Sequence, residues 1–136
     1  MTLVGRAVEK FSNQLTECEL EILEHNSISR TWRYNDTIIG CGGIVIYEKG
    51  KCEAWSIVDN ELALHYKREL LVGARRFLEE VAKENNITYM QASWQMSFNP
   101  NIHWLEHLGF TKEDRKVKIL NMESYVYSRR FTWEFL

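Results

Sequence analysis

Two histidines four residues apart, His103 and His107, stand in the stretch Asn99-Pro100-Asn101-Ile102-His103-Trp104-Leu105-Glu106-His107-Leu108-Gly109-Phe110. On a helix this spacing puts both imidazoles on one side, in reach of one metal ion. A zinc site needs a third ligand and often a fourth. Glu106 points elsewhere on the helix, and no His or Cys cluster lies nearby in sequence, so no metal is expected. What the stretch does specify is a short helix. Asn99 or Asn101 can cap its start, and Gly109 supplies the left-handed residue at its end. Cysteine chemistry is as thin. Cys18, Cys41 and Cys52 are odd in number with no Cys-x-x-Cys pair, which reads as thiols in a reducing compartment.

The elements that must position any site follow from the apolar period. Residues 2–9 alternate weakly and suit a short strand. Thr16 and Glu19 form a capping box for a helix from about Glu17 to His25. Ser29 to Tyr34, Thr37 to Tyr47 and Cys52 to Val58 read as consecutive antiparallel strands, with turns at Asn35-Asp36 and Glu48 to Lys51. From about Glu61 to Asn85 the period is helical, with Tyr66, Leu70, Ala74, Phe77, Leu78 and Val81 on one face. Ile87 to Gln95 suits a central strand, the short helix follows, and 111–120 and 124–135 suit two more strands. The order predicts one α/β (α+β) domain over 1–136, with a mixed, mainly antiparallel sheet. The segment from Cys52 to Gln95 would be a right-handed parallel crossover through the long helix. Such a crossover leaves a helix N-terminus near a strand end, a place that suits a phosphate-bearing cofactor.

The composition is that of a globular domain: 136 residues, 45% hydrophobic and 26% charged, with a formal net charge of -2. That balance predicts no broad nucleic-acid surface. No stretch nears the roughly 20 apolar residues of a membrane span, and the N-terminal segment lacks the apolar core of a signal peptide. A cytoplasmic protein is expected.

The element order resembles the GNAT superfamily of N-acetyltransferases. Ile39-Gly40-Cys41-Gly42-Gly43-Ile44-Val45 looks like the family's third strand, and Glu53-Ala54-Trp55-Ser56-Ile57-Val58 like its fourth. Asn99 to Phe110 looks like its short helix ending in Leu-Gly-Phe. Within the superfamily the chain is most similar to the GNAT-like internal virion proteins of podophages. That similarity runs through Ile22-Leu23-Glu24, the Gly-Cys-Gly-Gly strand, Trp55 to Asp59, Lys67-Arg68, Arg75-Arg76-Phe77 and Asn99 to Phe110.

The resemblance implies an acetyl-CoA cofactor and an amine acceptor, either a small molecule or a protein. It places the pyrophosphate on an Arg/Gln-x-x-Gly-x-Gly/Ala loop. The nearest match is Arg68-Glu69-Leu70-Leu71-Val72-Gly73, with Leu71 in place of the first glycine. Arg68 could instead be a solvated charge and Gly73 a helix-packing glycine. Lys67, Arg68, Arg75 and Arg76 could also meet phosphates by charge alone. Backbone groups of Ser56, Ile57 and Val58 would receive the acyl carbonyl and pantetheine. Glu53 and Asp59 are the carboxylates able to serve as a base, although each also reads as a strand-end charge. Asn99 matches the asparagine before the family helix, and it serves equally as a cap. Leu105 takes the place of the usual acid, a tyrosine, and leucine has no proton to give.

Three readings follow from the sequence: an acyltransferase with a degenerate cofactor loop; a non-catalytic phage virion or assembly protein in host cytoplasm or virion; and a module binding a host protein. In the third, Tyr125, Tyr127, Trp133 and Phe135 would pair with a partner or form a homodimer, against their ordinary role as a core face.

Overall fold

A computed structural model of the chain describes residues 27–92, 103–119 and 122–133. The expected strand at 2–9, the helix from Glu17 to His25, Cys18, Trp94, Asn99, Asn101 and Phe135 lie outside the described residues.

Strand β1 (Ile28–Tyr34) turns through Asn35-Asp36 into β2 (Thr37–Glu48), with Asn35 in the left-handed region at φ 53°. β2 turns through Lys49-Gly50 into β3 (Lys51–Val58). Helix α1 (Asn60–His65) follows, then α2 (Lys67–Glu84) and β4 (Tyr89–Ala92). Helix α3 (His103–His107) precedes the last hairpin, β5 (Thr111–Ile119) and β6 (Met122–Arg130). The sheet order is β1-β2-β3-β4-β6-β5, with β3 and β4 parallel and the other pairs antiparallel. This is the mixed α+β architecture that the element order implied, crossover helix and short helix included.

Three boundaries differ from expectation. The long helix is two, because Tyr66 leaves helical geometry at φ -106°, ψ 29° and stacks on Tyr34 at 4.7 Å. The expected strand from Ile87 starts at Tyr89, because Ile87 still closes the end of α2, donating to the Ala82 carbonyl at 2.8 Å. β6 ends at Arg130, one residue before Phe131 donates to the Thr88 carbonyl at 3.0 Å at the start of β4.

Register assigns the two faces of the sheet, since directly paired residues share a face. Trp32, Gly40 and Val58 fall on one line, as do Ile28, Ile44, Ala54 and Ala92, and Cys52 with Met90. This face meets α2, which buries Leu70, Ala74, Phe77, Leu78, Val81 and Ala82 against it. The stripe read from the sequence is therefore the core-facing side of α2. The opposite face carries Cys41, Trp55, Ile57, Glu53, Gln91 and Ser128. Among the described residues no helix is long and apolar enough to cross a membrane.

Candidate functional site

Beyond Ala54, β3 keeps its β2 partner, and among the described residues it has none on the β4 side. There Ser56 and Val58 look onto α2 and form the floor of a groove. Leu70, Ala74 and Leu78 wall it from α2, Trp32 from β1, and Trp104 and Leu108 from α3. Ile57, on the opposite face, is buried. The space left is about 20 Å³, which is room for roughly one water. Glycines let the indole of Trp32 settle here. A Cβ on Gly42 would lie 2.6 Å from Trp32 Cη2, so no larger residue leaves the ring in place. Trp32 meets Phe77 edge-on, centroids 6.1 Å apart, and its five-membered edge lies across Gly73.

Asp59 caps α1, its Oδ1 accepting from the Leu62 amide at 3.0 Å. The orphan amides of a helix start want such an acceptor, and an acidic one also suits the dipole. α1 then runs into α2 across Tyr66 alone, so the negative end of one helix dipole abuts the positive end of the next. Lys67 and Arg68 are exposed in the first turn of α2. Gly73 is inside the helix, in its second turn, with no positive φ. The basic residues of α2 thus divide. Lys67, Arg68 and Arg76 are exposed, while Arg75 donates to the His107 carbonyl at 3.1 Å and pairs with Glu79.

α3 ends as its sequence implies. Gly109 takes φ 92°, and the Phe110 amide closes back on the Leu105 carbonyl at 3.0 Å. Leu105 is 3% exposed and Trp104 8%, so both are core residues. Arg129 of β6 lies against Gly109, donates to the Leu108 carbonyl at 3.0 Å and pairs with Glu79 at 2.5 Å. The sequence carries no signal for this Arg75–Glu79–Arg129 cluster, because Arg129 comes from a strand 50 residues away from Glu79.

Across the sheet, Glu53 sits between Val45 and Gln91, one residue before the last β3–β4 pair. It is half-buried, without a hydrogen bond or ion pair among the described residues, and burial pushes its carboxyl up from the ordinary range. Nearby on that face, Tyr89 donates to Glu113 at 2.7 Å, and Arg115 reaches the Tyr89 hydroxyl at 2.9 Å. The Tyr89 hydrogen bond holds the Glu113 carboxyl below the usual range. The structure thus brings Ser56 and Val58 to the groove, puts Glu53 behind it, Asp59 and Arg68 at the two helix starts and Gly73 within α2 against the Trp32 ring. The pairing partners of the last strand are largely turned inward. Tyr127, Phe131 and Trp133 pack on the core, with Trp133 Nε1 donating to the Ile87 carbonyl at 2.9 Å, while Tyr125 is 38% exposed.

Among the described residues no group of three or more His, Cys, Asp or Glu could hold a metal ion. His107 is exposed at the helix end. No family model and no curated protein matches the sequence. Solved structures do. An acetyltransferase of Bacillus subtilis in complex with CoA superposes with a TM-score of 0.64 at 10% identity, over 86% of this chain and 85% of that one. A spermidine N-acetyltransferase chimera of Vibrio cholerae gives 0.65 at 16%, over 92% and 90%. A GNAT family acetyltransferase of Elizabethkingia anophelis with acetyl-CoA bound gives 0.57 at 13%, over 85% and 84%. At these identities the likeness is one of fold: the chain has the architecture of the GNAT acetyltransferases.

Proposed function

We propose that this is an acyltransferase-like GNAT-fold protein whose acyl-donor groove is held shut. The observation that carries this reading is the groove itself, between the second half of β3, α2 and α3, with about 20 Å³ of free space. Acetyl-CoA, which a fold of this kind takes, supplies an activated acyl thioester when bound. An acyl-pantetheine arm is many times larger than a water, so the groove does not hold it while α3 stays in place.

What this chain's own residues would do is narrower. Backbone groups of Ser56, Ile57 and Val58, which have no partner on the β4 side among the described residues, would offer hydrogen bonds there. Arg68, with Lys67, offers charge to phosphates. Gly73 and Asn99 complete the set that the family resemblance suggests, and Asp59 is the second carboxylate of that set. The cradle is degenerate: Leu71 stands where a glycine would let backbone approach phosphate. Glu53, without a hydrogen bond or ion pair among the described residues and raised by burial, suits a base that takes a proton from an acceptor ammonium. Leu105 gives no acid in return.

The experiment is acetyl-CoA with a panel of amines, read as free thiol released. Amine-dependent release that falls with Glu53→Gln supports the reading. No release at millimolar acetyl-CoA favours a second one, a non-catalytic protein that keeps the fold, in a phage virion or its assembly. The buried leucine in place of the tyrosine speaks for that second reading. Co-sedimentation with phage particles tests it.

A further inference from the structure

We infer that the sheet face turned away from α2 carries a binding site for a free α-amino acid, its ammonium taken by Glu53 and its carboxylate by Arg115. The site rests on the reading of Glu53 as the carboxylate that meets an acceptor ammonium, and it names that acceptor's class. Register lays it out in one row. Glu53 of β3, Gln91 of β4 and Ser128 of β6 are directly paired in turn and share this face. Glu53 is half-buried and has no hydrogen bond or ion pair among the described residues. A carboxylate partly out of water with nothing to pair it is costly, and a ligand cation removes the cost.

The other end of the row is positive. The β5–β6 register shifts between Lys112 and Lys116, and a bulge of this kind re-aims a side chain. Arg115, inside the shift, reaches across the face, its Nη2 donating to the Tyr89 hydroxyl at 2.9 Å and to Gln91 Oε1 at 3.4 Å. Its Nε and Nη1 donate to nothing among the described residues, and 55% of the side chain is exposed. Glu113, 3.6 Å from Nη2, is a shared counter-ion. It accepts from Tyr89 at 2.7 Å and also feels Arg130, whose guanidinium lies 4.9 Å over the Tyr89 ring. Two guanidiniums thus share one carboxylate, and a planar fork with donors to spare suits a carboxylate ligand. Gln91 alone stands between this end and Glu53, on strands ~4.8 Å apart. A ligand bridging the two therefore carries opposite charges close together. An α-amino acid has one carbon between them, whereas a diamine or a dicarboxylate puts the wrong sign at one end. Tyr47, 52% exposed, feels the charge of both Glu53 and Arg115, and its ring offers a face to the ammonium.

The test is calorimetric titration of the common L-amino acids, one at a time and with no acyl donor present. Saturable binding of at least one is expected. Its amide, which lacks the carboxylate, and its deaminated acid, which lacks the ammonium, should each bind about tenfold more weakly, the order expected for losing one charge-assisted hydrogen bond. Glu53→Gln and Arg115→Gln should each weaken it by about the same factor. Arg115 is exposed, so its variant reads binding rather than folding. The amide also separates a free amino acid from a peptide N-terminus, whose carboxylate is spent in the peptide bond. Binding of no amino acid would overturn the inference, as would equal binding of the amide or wild-type affinity in Arg115→Gln. None of these readouts requires transfer. Amino-acid binding without amine-dependent thiol release keeps the site and removes the acyltransferase reading. Thiol release with amines that lack a carboxylate, and no amino-acid binding, keeps that reading and overturns the site.

Discussion

Replacing Gly73 with alanine separates a helix glycine from a phosphate-loop glycine. Gly73 is the seventh residue of α2, so its amide is spent in the helix ladder. A Cβ built there meets Trp32 Cδ1 and Nε1 at 3.7 Å, an ordinary contact that requires no movement. Two gains follow. Alanine is favoured over glycine in a helix interior by ~0.8–1.0 kcal/mol. The new methyl also buries a little apolar surface on the indole. Gly73→Ala should therefore stabilise the protein by about 1 kcal/mol, or raise Tm by about 3 °C for a domain of this size. Gly42→Ala is the matched opposite. Its Cβ would press within 2.6 Å of the Trp32 ring and 2.8 Å of the Trp55 carbonyl oxygen, with backbone on one side. Overpacking of that kind costs about 1–3 kcal/mol. Urea denaturation of both variants is the assay. Destabilisation by Gly73→Ala would show that Trp32 does not lie across Gly73, and the description of the groove would be wrong.

Glu53→Gln should be neutral at about pH 3 and stabilising at pH 7. The sign follows from burial: a carboxyl raised in the folded state costs stability once ionised, and the cost grows as pH rises from the ordinary carboxylate range through the folded value. A variant less stable than wild type at pH 7 would mean Glu53 has a partner. Burial pushes the Cys41 and Cys52 thiols up to about 12 from 9.0. They should alkylate about a thousandfold more slowly in the native protein than in urea, read by mass after timed iodoacetamide. Native labelling at the rate seen in urea would show the second and third strands to be open.

Most of the fold was legible because it rests on local period. The stripe from Leu70 to Val81, the turns at Asn35-Asp36 and Lys49-Gly50, and Gly109 as a helix stop all carry their cause within a few residues. Tyr66 broke the long helix because its ring stacks on Tyr34, 32 positions earlier, a contact no window contains. The site was less legible for the same reason. Asp59 stood out as a carboxylate at a strand end, and its cap on the Leu62 amide emerges only with α1 in place. Gly73 matched a loop pattern, and its position within α2 emerges only from the helix boundary. The Glu79 cluster needs three elements to meet, and charge patterning along α2 alone pairs Arg75 with Glu79 and goes no further.

A calorimetric titration of acetyl-CoA into the protein tests the central claim, a GNAT fold whose donor groove is filled by its own side chains. Weak binding, in the millimolar range or below detection, is the predicted result. Micromolar binding would contradict it.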